Sequence, residues 1–216
     1  MSVEAELAGV RAGYGPLEAL HGVDLRIPAG HCTVLLGRNG AGRTTALRVL
    51  AGTLRPTAGR VRWRGRDITA LGAWHRARLG FCAVPDEQAV FPSLTVAQHL
   101  LVSGARGAEA LELFPELRRL LPRRAGTLSG GEQRMVALCR ALAGPARLLL
   151  LDELGRGLAE DVVARVHRAL AAAVASGRTV VLAEQDLPPA LGDVVYVLHR
   201  GAVAFAGEAD ELRSTG

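Results

Sequence analysis

The sequence predicts an α/β fold with a mostly parallel sheet. Short apolar runs alternate along the chain with segments whose apolar residues recur at helical spacing. A glycine-rich loop, GRNGAGR, stands between one apolar run and one helical segment, and two carboxylates directly follow the four leucines of RLLLLDE. Because ligands of such folds bind at the carboxyl ends of the strands, the loop and the two acids are the first candidates for a functional site.

The chain begins with strands. Residues 3–36 predict strands, and within them residues 23–27 alternate apolar and polar side chains, as a half-buried strand does. The apolar run TVLL then leads into the glycine loop, which is typical of a buried strand. Beyond the loop, apolar residues at positions 47, 50, 51 and 54 follow helical spacing, and Pro56 marks the end of that helix. Strand, glycine loop and helix is the order that a phosphate-binding loop requires.

The rest of the chain continues the alternation of strands and helices. The predicted strands are residues 60–68, as an edge strand with a turn, 79–84, 147–153, 179–184 and a pair within 194–207. The predicted helices are residues 93–124, broken by two prolines, a segment that starts after LSGGEQ, and residues 159–175. This pattern favours one nucleotide-type α/β domain.

Composition narrows the function classes. The net charge is +5, and all 26 basic residues are arginine. A basic chain is compatible with nucleic acid or an anionic membrane surface, but the arginines are scattered and aromatic residues make up only 4%, which favours an ordinary globular protein with no nucleic-acid partner. Three widely spaced cysteines indicate no metal site and suit a reducing compartment. Neither a secretory signal nor a spanning apolar run is visible.

The loop nearly matches the phosphate-binding pattern G-x-x-x-x-G-K-[ST]. Gly37 and Gly42 occupy the glycine positions, and Arg43 stands where the pattern has lysine. Glycines allow successive N–H groups to turn toward an anion, and the helix that follows adds the positive end of its dipole. The alternative is a glycine-rich turn without a ligand. The candidate nucleotide-binding residues are Gly37, Arg38, Asn39, Gly40, Ala41, Gly42, Arg43, Thr44 and Thr45.

Two acids and two threonines complete the candidate site. Thr44 is positioned to ligate Mg²⁺, and Thr45 to contact an α-phosphate. Asp152, at the end of a buried strand, can hold Mg²⁺ through water, and Glu153 can polarise an attacking water. The alternative is that Asp152 and Glu153 are simply solvated acids at the end of a strand.

LSGGEQ is the most specific short segment. Ser129, Gly130 and Gly131 open a predicted helix, so their amides and the serine hydroxyl can hold a phosphate. An N-capped helix after a flexible turn would account for the serine but not for the whole string. Since the glycine loop already supplies one phosphate cradle, we expect this second one to serve a nucleotide held by another copy or by a partner.

The chain resembles the ATP-binding cassette (ABC) ATPases, which are the nucleotide-binding subunits of ABC transporters. Its segment GRNGAGRTT resembles their Walker A loop, LSGGEQ resembles their signature motif, and LLLLDE resembles their Walker B strand, and the three stand in the order of that family. Within that family, the chain resembles the branched-chain amino acid importers, and the segments that carry this resemblance are VPDEQAVFPSLTV, ELFPEL, RAGTLSGGEQ and AEQD. The resemblance covers nearly the whole chain.

The resemblance implies a P-loop NTPase ABC cassette. Its core sheet would be mostly parallel, with an N-terminal antiparallel β part and a short helical subdomain. Residues 1–216 would form a single nucleotide-binding domain. Its ATPase core would comprise residues 1–86 and 139–216, and the shortened helical subdomain would comprise residues 87–138, including LSGGEQ.

The resemblance also implies roles for further residues. Tyr14 matches the aromatic residue that stacks on adenine. Asp86 falls at the Q-loop position, near the metal, and Gln185 falls at the switch position. By the same resemblance, the catalytic residues would be Glu153, Gln185 and Arg43. Ala159 replaces the usual D-loop aspartate, and this replacement and the residues at 86 and 185 are usual in the subfamily. Two other positions depart from the family.

The two departures are Leu154, where the family has proline, and Arg43. We expect the effect of Leu154 to be local. Arginine keeps the positive charge of the lysine but has a larger planar fork, so nucleotide binding is expected to survive better than hydrolysis. The absence of lysine from the whole chain offers a second explanation for Arg43, a general bias in composition.

Three functional hypotheses follow. The first is a subunit that binds ATP and Mg²⁺ and couples hydrolysis to transport, most readily import of branched-chain or related amino acids. It would pair with itself or with a paralogue, act on integral membrane permeases and indirectly on an extracytoplasmic binding protein, and lie in the cytoplasm on the inner face of the cell membrane. The second is a regulatory partner that binds nucleotide without hydrolysing it. The third is a nucleic-acid-associated ABC ATPase. It is disfavoured because such proteins usually join two cassettes in one chain, whereas this chain has one.

Overall fold

A computed structural model describes residues 2–87, 89–104, 107–189 and 191–214. Its strands are β1 (Val3–Tyr14), β2 (Leu17–Pro28), β3 (Cys32–Leu36), β4 (Ala58–Trp63), β5 (Arg66–Asp67), β6 (Phe81–Val84), β7 (Leu148–Asp152), β8 (Thr179–Glu184), β9 (Val194–His199) and β10 (Ala202–Gly207). Its α-helices are α1 (Arg43–Ala51), α2 (Ala73–Arg78), α3 (Val96–Val102), α4 (Gly107–Leu113), α5 (Gly130–Ala143), α6 (Glu160–Ala175) and α7 (Ala209–Ser214). Two 3₁₀ helices, Pro115–Leu120 and Ala125–Thr127, lie between α4 and α5.

The larger sheet has the strand order β10-β9-β3-β8-β7-β6. Its strands from β9 to β6 pair in parallel, and β10 adds an antiparallel edge. The smaller sheet is antiparallel, with the order β2-β1-β4-β5. The predicted α/β class, with a mostly parallel core sheet and an N-terminal antiparallel part, is therefore confirmed.

The leucine run in β7 shows why the core sheet is so apolar. Leu148 and Leu150 pack into the apolar cluster shared with α1 and the antiparallel sheet. Leu149 and Leu151 pack into the cluster formed with α3, α5 and α6 on the opposite face. Because helices or a second sheet cover both faces, every position of this strand is buried, as in other parallel sheets.

Helices α3 and α4 and the 3₁₀ helix Pro115–Leu120 occupy residues 93–124, where a broken helical pattern was predicted, and α5 is the helix predicted after LSGGEQ. Leu117 of the 3₁₀ helix and Phe114, which precedes it, are fully buried against the core. Helix α5 runs continuously across residues 138 and 139, so the division between core and helical subdomain stays a prediction.

Helices α2 and α7, which are both six residues long, were not predicted from the sequence. The only buried side chain of α2 is Arg76. Its guanidinium donates hydrogen bonds to the carbonyls of Val49 (2.6 Å) and Leu50 (2.8 Å), near the end of α1. Burial lowers the pKa of Arg76 to about 10. Because a charged side chain rather than an apolar stripe anchors α2, the hydrophobic periodicity gave no signal.

Within the described parts of the chain, no helix combines the length and the apolar character needed to cross a membrane.

Candidate functional site

The parallel pairing brings the ends of three strands to one edge of the core sheet. Leu36, the last residue of β3, pairs with Glu184 of β8, and Ala183 pairs with Asp152 of β7. The glycine loop therefore begins beside the acids that follow β7 and beside Gln185, which follows β8. Residues that are up to about 150 positions apart in the chain share this edge.

The glycine loop needs its glycines at two points of close approach. Gly37 and Gly42 have φ angles of 154° and 108°. A Cβ atom at Gly37 would lie 2.5 Å from the carbonyl oxygen of Leu198, and one at Gly42 would lie 2.8 Å from the Leu20 side chain. Gly42 also caps α1, without any side-chain hydrogen bond to the first turn and with no acid in that turn. The start of α1 is thus suited to an anion.

Arg43 is buried in the site, with 5% of its side chain exposed. One guanidinium nitrogen, Nη2, donates to Glu153 Oε1 at 3.1 Å and to Asn39 Oδ1 at 3.4 Å. The other, Nη1, is buried and has no hydrogen-bond partner among the described residues. A buried charged donor without a partner is costly, so this nitrogen is suited to receive an anionic ligand.

Asp152 and Thr44 form the second polar pair. Asp152 is 3% exposed, and its Oδ1 has no hydrogen-bond partner in the described structure. Burial raises the pKa of Asp152, and the hydrogen bond from Thr44 lowers it. A carboxylate oxygen without a partner, beside a hydroxyl, fits Mg²⁺. No cluster of three or more His, Cys, Asp or Glu side chains in the described residues could hold a metal, and Mg²⁺ suits such a sparse site because it keeps several waters and takes phosphate oxygens.

Glu153 is held in an unusual backbone conformation next to Asp152. Its φ of 44° lies in the left-handed region, and its N–H donates to the Ala183 carbonyl at 2.9 Å. The carboxylate receives Arg43 on Oε1, and Gln185 Nε2 lies 3.4 Å from the same oxygen. Strain of this kind is common at functional sites. The geometry therefore brings together the three residues proposed as catalytic, Arg43, Glu153 and Gln185.

Glu184 is a site residue that the sequence analysis did not identify. Its Oε1 accepts a hydrogen bond of 2.9 Å from the Leu154 N–H, and burial raises its pKa. Proline at position 154 would have no N–H to donate. The departure at Leu154 thus adds a link between the turn after β7 and the end of β8.

Two arginines that contact the site were also not predicted from the sequence. Arg134 of α5 is 5% exposed, and its guanidinium donates to the carbonyls of Asp86 at 3.3 Å and of Glu153 at 2.6 Å, and to that of Asp152. Arg156, in the turn after β7, forms an ion pair with the carboxylate of Asp86. The carboxylate predicted to face the metal is therefore paired with arginine in this structure. The sequence signal for Arg134 is its position four residues before Leu138, on the same face of α5.

An open cleft of about 760 Å³ joins these groups. Its lining residues are Asn39, Thr44, Asp86, Glu153, Gly155, Arg156, Glu184, Gln185 and Asp186. A neighbouring cavity of about 420 Å³ is lined by Arg38, Asn39, Gly40, Ala41, Gln185, His199 and Arg200. The two cavities share Asn39 and Gln185.

Tyr14 lies at the end of β1 with 43% of its surface exposed. Its hydroxyl accepts a hydrogen bond of 3.1 Å from Arg48, whose guanidinium carbon lies 5.6 Å from the centre of the ring. Both residues are exposed, so the aromatic face is open to a ligand once the arginine moves. Stacking on adenine stays a prediction.

The LSGGEQ segment opens α5 as predicted from its composition. Ser129 and Glu132 form a capping box, in which the serine hydroxyl accepts from the Glu132 N–H at 3.3 Å and the glutamate accepts from the Ser129 N–H at 2.9 Å. Among the described lining residues of the 760 Å³ cleft, Ser129, Gly130 and Gly131 are absent. The two predicted phosphate cradles of one chain therefore do not share this cleft.

Residues 20–155 match the protein family described as ABC transporter, which is well over half of the chain. The chain belongs to this family. Its ABC relatives include the high-affinity branched-chain amino acid transport ATP-binding protein BraG of Pseudomonas aeruginosa, which is 36% identical over a match that covers 89% of this chain and 87% of BraG. The probable branched-chain amino acid transport ATP-binding protein LivF of Archaeoglobus fulgidus is 37% identical, and the match covers 94% of this chain and 91% of LivF. The lipopolysaccharide export protein LptB of Acidithiobacillus ferridurans is 34% identical over 88% of this chain and 84% of LptB.

Solved ABC structures share the fold. A nucleotide-free ATP-binding cassette from an ABC transporter superposes with a TM-score of 0.84 at 23% identity, covering 98% of this chain and 94% of that one. A bacterial Atm1-family ABC exporter with ATP bound gives a TM-score of 0.85 at 28% identity over all of this chain and 40% of the exporter. The predicted recognition as an ATP-binding cassette is thus confirmed, and the chain is the ATP-binding part of an ABC transporter.

A matched pair of glycine substitutions tests the ABC signature segment. A Cβ atom at Gly131 would lie 2.6 Å from the Gly157 carbonyl oxygen, whereas one at Gly130 would have no neighbour within 4 Å. We expect Gly131→Ala to lower the free energy of unfolding by about 1–3 kcal/mol through overpacking, and Gly130→Ala to leave it unchanged or raise it by up to about 1 kcal/mol, the helix-propensity difference. Urea unfolding of both variants measures this difference, and equal stabilities would contradict the close contact between α5 and the turn after β7.

Proposed function

We propose that the chain is the ATP-hydrolysing subunit of an ABC importer for branched-chain amino acids or related compounds. The observation that carries the hydrolytic part is the convergence of Arg43, Thr44, Asp152, Glu153 and Gln185 at one edge of the sheet. The names of BraG and LivF support the substrate class. Relatives named for Fe³⁺ import and lipopolysaccharide export are similar to this chain too, so the substrate rests on similarity alone.

The residues of the site divide the work of hydrolysis. The amides of residues 37–42 and the guanidinium of Arg43 would hold the phosphates, with Thr45 toward the α-phosphate. Thr44, Asp86 and Asp152 would hold Mg²⁺, and the ion would supply positive charge to the phosphate oxygens. Glu153 would orient and deprotonate the attacking water, with Gln185 keeping that water in line.

The signature segment supports a paired assembly. Since Ser129, Gly130 and Gly131 do not line the main cleft of their own chain, they would hold the terminal phosphate of a nucleotide bound to a second subunit, either the same chain or a paralogue. Tyr14 would stack on the adenine of the nucleotide in its own loop. Closure of the pair around two nucleotides would then move the permeases.

A second surface is suited to a membrane permease. An apolar cavity of about 640 Å³ lies beside β6 and is lined in part by Phe91, Val102 and Arg140. Phe91 and Val102 are 57% and 63% exposed, and the Arg140 guanidinium carbon lies 5.7 Å from the Phe91 ring centre. We infer that residues 86–98 and this cavity receive a permease. The chain would then be cytoplasmic and peripheral on the inner face of the cell membrane, would meet an extracytoplasmic binding protein only indirectly, and would not bind nucleic acid.

The Arg43–Glu153 ion pair favours a second candidate. An arginine that holds the catalytic carboxylate at 3.1 Å competes with the water that Glu153 must activate. The chain would in that case bind nucleotide and regulate an active paralogue without hydrolysing ATP itself.

Calorimetry with Mg²⁺-ATP, together with steady-state phosphate release, tests both candidates on the purified chain, alone and with permeases and a paralogue. The first candidate predicts nucleotide binding and phosphate release. Binding without release in every assembly supports the regulator, and the absence of any binding would contradict both.

A further inference from the structure

Arg156 is a cation in the turn that follows Asp152 and Glu153. It follows β7 by four residues, in a turn closed by the hydrogen bonds Arg156 N–H to Glu153 O and Leu158 N–H to Gly155 O, each of 3.2 Å. Its side chain lines the cleft that also contains Thr44, Glu153 and Gln185. The turn thus fixes the backbone of Arg156 at the edge of this cleft.

The ion pair between Arg156 and Asp86 joins an exposed side chain to a half-buried one. The Arg156 side chain is 61% exposed, whereas that of Asp86 is 21% exposed. The backbone of Asp86 is also held, because its carbonyl accepts a hydrogen bond of 3.3 Å from the buried Arg134. A long, exposed side chain can leave such a pair at little cost, since exposed ion pairs contribute only about 0–1 kcal/mol.

The charges of the cleft favour such a departure when phosphate enters. The charged lining residues are Asp86, Glu153, Arg156, Glu184 and Asp186. Among the described residues of that lining, Arg156 is the one cation, and Arg43 nearby is already paired with Glu153. A terminal phosphate brings further negative charge into a cleft rich in carboxylates, and a guanidinium can bind its oxygens through two parallel hydrogen bonds.

We propose that Arg156 binds the terminal phosphate of ATP, exchanging its ion pair with Asp86 for that phosphate. The exchange would leave the Asp86 carboxylate free for Mg²⁺. This inference rests on the proposed function, since it assigns one more residue to the same site.

Isothermal calorimetry tests the exchange apart from turnover. ATP and ADP are each titrated into the protein in a buffer that contains a chelator and no Mg²⁺, so that ATP is not hydrolysed. Arg156→Ala is expected to weaken ATP binding about tenfold, the loss of one charged hydrogen bond, while ADP binding changes little. Asp86→Asn removes the competing carboxylate, so it is expected to strengthen ATP binding about two- to fivefold, the range of an exposed ion pair. Arg156→Lys should keep part of the ATP preference, because it keeps the charge without the fork.

Arg55→Ala is the matched control, because Arg55 is an exposed arginine beyond the far end of α1 and should leave both affinities unchanged. An unchanged ratio of ATP to ADP affinity in Arg156→Ala would overturn the inference. Equal losses in Arg156→Ala and Asp86→Asn would also overturn it, since they would indicate a purely structural ion pair. A wild-type chain that binds no nucleotide even with Mg²⁺ would instead contradict the proposed function.

Discussion

Replacing Glu153 with glutamine is expected to lower kcat for ATP hydrolysis by about 10²–10⁴-fold, the contribution of a positioned general base. Glutamine has the same length as glutamate and an oxygen that can still accept from Gln185, but it cannot take a proton from water. The left-handed backbone at position 153, with φ at 44°, is available equally to both residues. Steady-state phosphate release at saturating Mg²⁺-ATP measures the change.

ATP affinity should not fall in the same variant. Arg43 loses its charged partner, which lies at 3.1 Å in the structure, and so becomes more available to phosphate. Calorimetry is therefore expected to show equal or tighter ATP binding beside the lower turnover. Glu160→Gln, at the exposed start of α6, removes a carboxylate outside the cleft and should change neither quantity. Wild-type turnover in Glu153→Gln would mean that another group activates the water.

The parts of the fold that follow from periodicity were predictable from the sequence. The alternation at residues 23–27 predicted the strand β2, in which Val23, Leu25 and Ile27 are buried and the intervening side chains are exposed. The leucines of β7 predicted a strand buried on both faces. Helix α2 was not predictable in this way, because its anchor is the charged side chain of Arg76. That anchor depends on carbonyl groups of α1, and the residue pattern around Arg76 does not predict this contact.

The residues of the candidate site likewise fall into those that a local motif predicts and those that it does not. The glycine loop and the acids after β7 were identifiable because each stands in a local motif and parallel strands bring their ends together. Glu184, Arg134 and Arg156 were not, since their roles depend on which backbone groups and carboxylates the turns bring near them. The ion pair between Arg43 and Glu153, 110 residues apart, likewise required the structure, although both residues had been assigned to the site.

Replacing Arg43 with lysine is expected to raise kcat by up to about 10²-fold, with ATP affinity changed only a few-fold. The Arg43 fork occupies the space between Asn39 and Glu153, with hydrogen bonds of 3.4 and 3.1 Å. Lysine has a compact ammonium on a flexible stem, so it can follow the phosphates without holding Glu153. A misplacement of about 1 Å at a reacting centre can cost about 10²-fold in rate, which sets the size of the expected gain. Phosphate release and calorimetry on the same preparation measure the two quantities.

Arg43→Met serves as the control, because it keeps an unbranched side chain of similar reach and removes the charge. It should lose most of the ATP affinity, since the phosphates then lack their buried cation and Glu153 lacks its partner. Greater turnover with lysine and lost binding with methionine would locate the defect in the shape of the guanidinium rather than in its charge. If lysine leaves turnover at the wild-type level or below it, the arginine is fully adapted to the phosphates. Any slow hydrolysis would then arise elsewhere in the site, with the Asp86–Arg156 ion pair as the next place to look.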